Sequence, residues 1–259
     1  MTAKPPAAAD DETRPFVVPC AQLELRAPLR WLRLGWGDFR RAPGLSLLFG
    51  AVIVLVSIAV SALAWSLGRF ALLATLLSGF VFIAPLIAVG LYCVSRGLEA
   101  GRQPSLADSF ALARRVIGQA GVFALAQLVI LLLWSRAGMM VSAFVPMQSG
   151  SLQGLLEFLL IGSAVGSVFA AITFATAAFS LPMIADRDVD MVTACVSSIH
   201  AVLRNKAVML FWGVLIALLT ALGFASAFLG LGIVMPWLAY AAWHGYRETL
   251  DTREWPALD

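Results

Sequence analysis

Apolar residues along this chain fall into long unbroken runs, and short amphipathic stretches separate them in pairs. Runs lie at roughly 45–66, 70–94, 118–135, 160–184, 207–224 and 226–245. As helices, runs of about 20 residues match the ~30 Å hydrocarbon core of a bilayer. Only "ALGFAS" separates the last two runs, which predicts a tight helical hairpin. The amphipathic stretch before the first pair is "PLRWLRLGWGDFRR". With Pro28 pre-set for a helix start, Leu29, Leu32, Trp36 and Phe39 fall on one stripe, and Arg30, Arg33, Gly37 and Arg40 on the neighbouring face. The second, "PSLADSFALARRV", aligns Leu106, Phe110, Ala113 and Ile117. The third, "DVDMVTACVSSIHAVLRNK", aligns Val189, Val192, Val196, Ile199 and Leu203, with an acidic start and a basic end that complement the helix dipole.

The predicted fold class is therefore all-α: a polytopic membrane protein whose six transmembrane helices form three hairpins, each preceded by a cytoplasmic amphipathic helix. The unit occurs in approximate repeats 28–103, 104–187 and 188–250 within one membrane domain, 25–250. Residues 1–24 are expected to form a disordered cytoplasmic tail and 251–259 a second tail. The first nineteen residues contain no apolar core of a signal peptide, so the first span is expected to act as an uncleaved anchor. The return run of each repeat carries a proline in a shared pattern, "PLIA" at Pro85, "PMIA" at Pro182 and "PWLA" at Pro236. Each proline removes a backbone hydrogen bond and predicts a kink whose freed carbonyl must find another donor, with Ser180 a candidate in the second repeat.

Composition agrees: 61% of residues are hydrophobic and 13% charged, against about 25% charged in soluble domains. Lys and Arg set the orientation. Sixteen lie before the first run, between the second and third, between the fourth and fifth, or after the sixth, and only Arg69 and Arg136 lie on the other side. The positive-inside rule then puts both termini in the cytoplasm. Arg30, Arg33, Arg40 and Arg41, with Trp31 and Trp36 as anchors, are expected to hold anionic headgroups at the lipid surface. No nucleic-acid partner is expected.

Candidate chemistry is sparse. The six apolar cores contain no Asp, Lys, Arg or His, which disfavours an ion-coupled transporter. His200 lies in the third amphipathic segment and His244 at the inner end of the sixth run, whereas a haem–copper site needs several inward imidazoles. A Cys93, Cys195, His200 and His244 set matches no zinc spacing. No catalytic residue, cofactor or metal is expected. Gly162, Gly166 and Ala170 share a face suited to close helix packing.

The stretches "PLRWLRLGWGDFRRAPGLSLLFG", "APLIAVGLYCVSRGLEAGRQPSL", "FSLPMIADRDVDMVTACVSSIHAVLRNKAVMLFWG" and "PWLAYAAWHGYRE" together resemble the DUF2189 family of bacterial integral membrane proteins. The resemblance spans about residues 20 to 250 and implies a bacterial inner-membrane protein. Some members carry the label of cytochrome c oxidase subunit, which implies a respiratory complex as partner. Residues Ala239, Tyr240, Ala241 and Ala242 depart from the family pattern of Gly-His-Ala-Thr. Two readings stand: a non-enzymatic accessory, assembly or scaffold protein serving a respiratory oxidase, or, as the alternative, a passive small-molecule transporter or lipid-handling protein with a cavity at the proline kinks. Gln127, Thr173, Thr176 and Ser180 facing one cavity would favour the alternative.

Overall fold

The computed structural model describes residues 15–67, 87–144 and 152–258. Its helices are α1 (Ala27–Arg41), α2 (Pro43–Leu67), α3 (87–99), α4 (Leu106–Phe144), α5 (Leu152–Ala177), α6 (Ser180–Asp186), α7 (Met191–Arg204), α8 (Lys206–Ala225) and α9 (Leu231–Thr249). Among the described residues, four helical stretches are long and apolar enough to cross a membrane: Pro43–Leu63, Leu106–Val141, Leu152–Asp186 and Lys206–Ala225. Each carries a strongly apolar stretch, little of which is buried inside the protein. Leu55, Leu132, Leu160, Val168 and Leu218 all point outward. A helix that is hydrophobic all round requires an apolar surrounding, which here is not supplied by neighbouring helices.

The expected sixth run is different. Helix α9 packs against α1, α2, α6 and α8, and Leu238, Tyr240, Ala241, Trp243 and Tyr246 on it are buried. Two close crossings make this packing feasible. A Cβ at Gly35 of α1 would lie 2.6 Å from Ala241 N of α9, and one at Gly50 of α2 would strike the Gly232 carbonyl. The turn from α8 into α9 is short, with Ala227 and Phe228 in left-handed conformations (φ 52° and 70°). Ser226 Oγ holds it, accepting from Gly230 N–H at 2.7 Å and donating to Gly223 O at 2.7 Å.

The three amphipathic segments do not behave alike. Pro43 stops α1 from running on into α2, because it has no N–H to give. Asn205 separates α7 from α8, its Nδ2 donating to Ala201 O at 3.1 Å. The second joint, "RRVIGQAG", holds neither proline nor asparagine, so 106–117 continues without a break into a 39-residue α4. The separate amphipathic helix expected there is the first two to three turns of one long rod.

The prolines also differ from each other. Pro236 lies inside α9 and is buried; the carbonyl it leaves without an intrahelical donor, that of Gly232, is the one that faces Gly50 of α2. Pro182 sits in α6, a seven-residue helix set off from α5 by a turn at 178–179. Ser198 of α7 bridges this break, accepting from Phe179 N–H at 3.1 Å and donating to Ala175 O at 2.7 Å. Ser180 Oγ donates to Thr176 O. The carbonyl that Pro182 leaves without an intrahelical donor is that of Ala178, so this serine serves a different carbonyl from the one expected of it. Pro85 lies outside the described residues.

Both expected tails are docked where they are described. Val18 is fully buried, its N–H donating to Ser197 Oγ at 2.9 Å. Ala21 N–H donates to Thr249 O at 2.8 Å, and Asp251 N–H to Pro19 O at 2.9 Å. Asn205 ties this clasp to α7, accepting from Leu23 N–H and donating to Ala21 O. Trp255 and Leu258 are buried as well. The expectation of disorder through residue 24 is therefore corrected from Val18 onward: the short apolar run "FVVPCAQL" finds a groove that composition does not reveal.

Gly35→Ala and Gly50→Ala are each expected to destabilise the protein by about 1–3 kcal/mol through overpacking. Gly37→Ala, whose Cβ would meet nothing within 4 Å, should be neutral or slightly stabilising. Unfolding midpoints in mild detergent check the contrast; equal losses at all three positions would refute the close crossings.

Candidate functional site

Helices α4 and α5 run antiparallel and enclose a cleft of about 760 Å³. Phe123, Ile130, Leu131 and Trp134 line it from α4; Gly166, Phe169, Ala170 and Phe174 face them from α5; Ala88 of α3 and Leu181 of α6 close one end. From Phe123 to Trp134 the helix advances about 16 Å at 1.5 Å per residue. Polar groups are few. Gln127 lines the cleft and donates from Nε2 to Thr176 Oγ1 at 3.0 Å, Thr173 also lines it, and Gln127 Oε1 is buried with no hydrogen-bond partner. Thr176 returns its own hydroxyl to the Ile172 and Thr173 carbonyls. The cleft is thus an apolar slot with one unused acceptor in its wall.

A second constellation lies at the end of the bundle that carries the chain termini. Asp38 of α1 is buried, and its Oδ2 accepts from Ser95 Oγ of α3 at 2.7 Å and lies 2.8 Å from His244 Nε2 of α9. Asp186, at the end of α6, is also buried. Its Oδ2 accepts from Tyr246 OH at 2.7 Å, Arg187 Nε at 3.0 Å and an Arg247 nitrogen at 3.4 Å. Glu99 of α3 accepts from Trp243 Nε1 at 3.1 Å and Arg247 Nε at 3.2 Å. Each carboxylate joins α9 to another element. This is the arrangement of a polar clamp, in which the buried Asp38 and Asp186 are paired and hydrogen-bonded, as buried charges must be.

The family model described as "Predicted integral membrane protein (DUF2189)" matches residues 72–186. The match takes in less than half of the 259-residue chain, yet it contains every residue that lines the cleft. No curated protein and no solved structure matches the chain. The chain is an integral membrane protein by this DUF2189 match and by its apolar helices.

Within and beside the DUF2189 segment, the residues singled out from sequence take these places. Gly166 and Ala170 line the cleft, and a Cβ at Gly162 would meet nothing within 4 Å. The small-residue face is therefore not a close helix contact among the described residues: removing side-chain bulk has left a slot. Trp31 is fully buried, edge-on to Trp212 with ring centroids 5.6 Å apart and against Gly245. It donates from Nε1 to Glu248 at 3.0 Å. This corrects its assignment to the lipid surface; the indole is an internal wedge between α1, α8 and α9. Arg30 is drawn the same way, forking onto Glu248. Arg33, Arg40 and Arg41 are exposed, as is Trp36, which stacks on Phe39 and meets Trp237.

Sequence reasoning passed over Asp38, Ser95, Asp186, Ser198 and Glu248. One signal was available: an aspartate in the middle of an otherwise basic amphipathic helix needs a partner. The Cys and His residues are dispersed. Cys20 Sγ lies 3.8 Å from His200 Nδ1, Cys195 donates to Met191 Sδ, and His244 is engaged by Asp38. Burial pushes the Cys20 thiol up, with Arg204 pulling the other way. Among the described residues no three His, Cys, Asp or Glu side chains group as metal ligands.

Asp38→Ala strands the Ser95 hydroxyl and the His244 imidazole in a buried site. A loss of about 2–4 kcal/mol is expected, the scale for leaving two largely buried donors without their acceptor. Ser95→Ala should cost about 1 kcal/mol, since His244 stays bound. Detergent unfolding of the two variants checks the order; a larger effect at Ser95 would refute the clamp centred on Asp38.

Proposed function

We propose that this protein is a non-enzymatic, lipid-handling membrane protein that takes the acyl chain of a bilayer lipid into the α4–α5 cleft. The observation that carries the reading is the lining: a slot of about 760 Å³ between two membrane-crossing helices, walled by aromatic and aliphatic side chains, with Gln127 and Thr173 its polar groups. Apolar slots bury apolar ligands at about 25 cal/mol per Å², and at this depth the abundant apolar ligand is a lipid chain. Of the four polar residues whose shared cavity would favour this class over an accessory role, Gln127 and Thr173 line the cleft, Thr176 reaches it through its hydrogen bond to Gln127, and Ser180 is not part of its lining.

In the same reading the chain crosses the inner membrane six times as three hairpins, with both termini and the polar clamp in the cytoplasm. The sixteen-to-two distribution of Lys and Arg supports this orientation. Exposed Arg33, Arg40, Arg41 and Trp36 then lie at the inner headgroup layer. Alkaline phosphatase fused after Gly138 should be active, and fused after Arg102 or Lys206 inactive; the opposite pattern would reverse the orientation.

The cleft is tested by photolabelling in vesicles with a phosphatidylcholine that carries a diazirine along one acyl chain. Cross-links should concentrate on Phe123, Gln127, Phe169 and Phe174. The double substitution Gly166→Leu with Ala170→Leu fills the slot and should remove most of that labelling, while outward Leu132 and Leu160 stay labelled. Labelling of the slot no stronger than that of Leu132 in the unsubstituted protein would sink the acyl-chain reading.

A further inference from the structure

The connection from α3 to α4 is closed by a cap at each end. Gly101 takes φ +69°, its N–H donates to Leu98 O at 3.1 Å, and Arg102 N–H reaches back to Gly97 O at 2.9 Å. This is a Schellman closure, which a glycine adopts without steric cost. At the start of α4, Ser105 and Asp108 cap each other: Ser105 donates from N–H and hydroxyl to Asp108 Oδ2 at 3.1 and 2.6 Å, and Asp108 N–H donates to Ser105 Oγ at 3.2 Å. Gly97 and Pro104 face each other across the turn, where a Cβ on Gly97 would lie 3.4 Å from the proline ring, an ordinary van der Waals contact. The connection is therefore held in one shape.

Inside it lies a cavity of about 460 Å³ whose walls include Arg96, Arg102, Gln103, Asp108 and Arg115, with Cys93 on the α3 side. Three guanidiniums meet one carboxylate, and that carboxylate already accepts twice from Ser105. Arg96 is anchored, donating to Ala185 O at 3.4 Å and to Leu258 O, with Asp186 Oδ1 3.8 Å away. Its charge adds to the field from a fixed wall. We propose that this cavity binds a phosphate-bearing anion, gripped by Arg102, Arg115 and Gln103.

Guanidinium forks match phosphate oxygens in pairs, which an ammonium does not do. The capped turn has already paid the ordering cost that a flexible loop would incur on binding. The polar lining also separates this cavity from the apolar cleft, with which it shares no residue. Two sources present the same chemistry: the headgroup of an anionic lipid, which basic pockets beside membrane helices hold, or a soluble phosphomonoester.

The test uses full-length protein in two arms. Glycerol 3-phosphate is titrated against protein in mild detergent. In the second arm, the protein is placed in nanodiscs of phosphatidylcholine with or without phosphatidic acid, and retained lipid is read by native mass spectrometry. The double substitution Arg102→Ala with Arg115→Ala is expected to weaken anion binding about tenfold or more, the scale of charge-assisted hydrogen bonds. Arg26→Ala with Arg114→Ala removes the same charge from exposed positions outside the cavity and should leave binding within about twofold, consistent with screening of exposed charge. Gln103→Glu, at an exposed position where folding is undisturbed, should weaken binding by adding a negative charge to the wall. Binding in the soluble arm identifies a phosphomonoester site, and retention of phosphatidic acid alone identifies a headgroup site. No binding in either arm, equal losses in the two double variants, or wild-type binding by Gln103→Glu would each overturn the proposal.

Discussion

The contact between α1 and α9 holds the rest of the protein in place. Gly35 lets the two backbones approach, and the side chains on either side of it lock the approach. Trp31 wedges against Gly245, Trp237 donates from its indole to Leu32 O at 2.7 Å, Arg30 forks onto Glu248, and Asp38 meets His244. Backbone proximity and ion pairing reinforce one another here. Without the glycine the helices stand apart and buried Asp38 loses its partner; without the polar pairs nothing orients a smooth apolar contact. Helices α2, α6 and α8 reach α9 directly, and α3 reaches it through Glu99 and Ser95.

That dependence explains the unequal burial along the chain. At the clamped end, aromatic rings and paired charges fill the interior: Trp31, Trp212, Trp243, Tyr240 and Tyr246 are all essentially inaccessible. Away from it, α2, α4, α5 and α8 present Leu, Val and Ile outward with few partners in the chain. In water such surfaces would collapse or aggregate. In a bilayer they cost nothing, because lipid tails are as apolar as leucine. The protein is thus a well-packed polar-edged base from which apolar helices extend into a different solvent.

Much of this was legible in the sequence. Long apolar runs and the low charge content identify a membrane chain, and the locations of α1, α7, α8 and α9 follow from the same periodicity. The apolar stripe of α1 holds for Leu32 and Phe39, which are buried, while the inward face extends round to Trp31, Gly35, Asp38 and Ala42; glycine and aspartate do not count as apolar, so that part of the face is hidden in the sequence and Leu29 and Trp36 take its place. Leu29 and Trp36 are exposed, as suits residues at a lipid interface. Likewise "GSAVGSVFAA" announces a close contact by composition, yet small residues create an opening wherever no partner helix fills it. Docking of the N-terminal segment depends on Asn205 and Thr249, about 180 and 230 residues further on, and no local pattern encodes a partner so distant. The anion-binding turn was the reverse: Gly101, Pro104, Ser105 and Asp108 are cap residues readable at sight, and only the convergence of three arginines on one cavity needed coordinates.

The cleft itself follows from the one joint the middle unit lacks. In the first unit Pro43, and in the third Asn205, let the chain turn between amphipathic helix and span, so α2 and α8 can both lean onto α9. Helix α4 has no such joint. Its inward residues Leu112, Val116, Ala120 and Phe123 are fixed against the base, and a straight rod committed at that end must project along the direction the base dictates. Helix α5 returns beside it but is displaced at 178–179, where Ser198 takes over the broken hydrogen bonds and steers the chain into α6. Two rods placed by different anchors, with glycine and alanine on one face of α5, do not fill the space between them. An apolar slot is what remains, opened by the small residues in its wall and anchored at one end by the hydrogen bonds of the base.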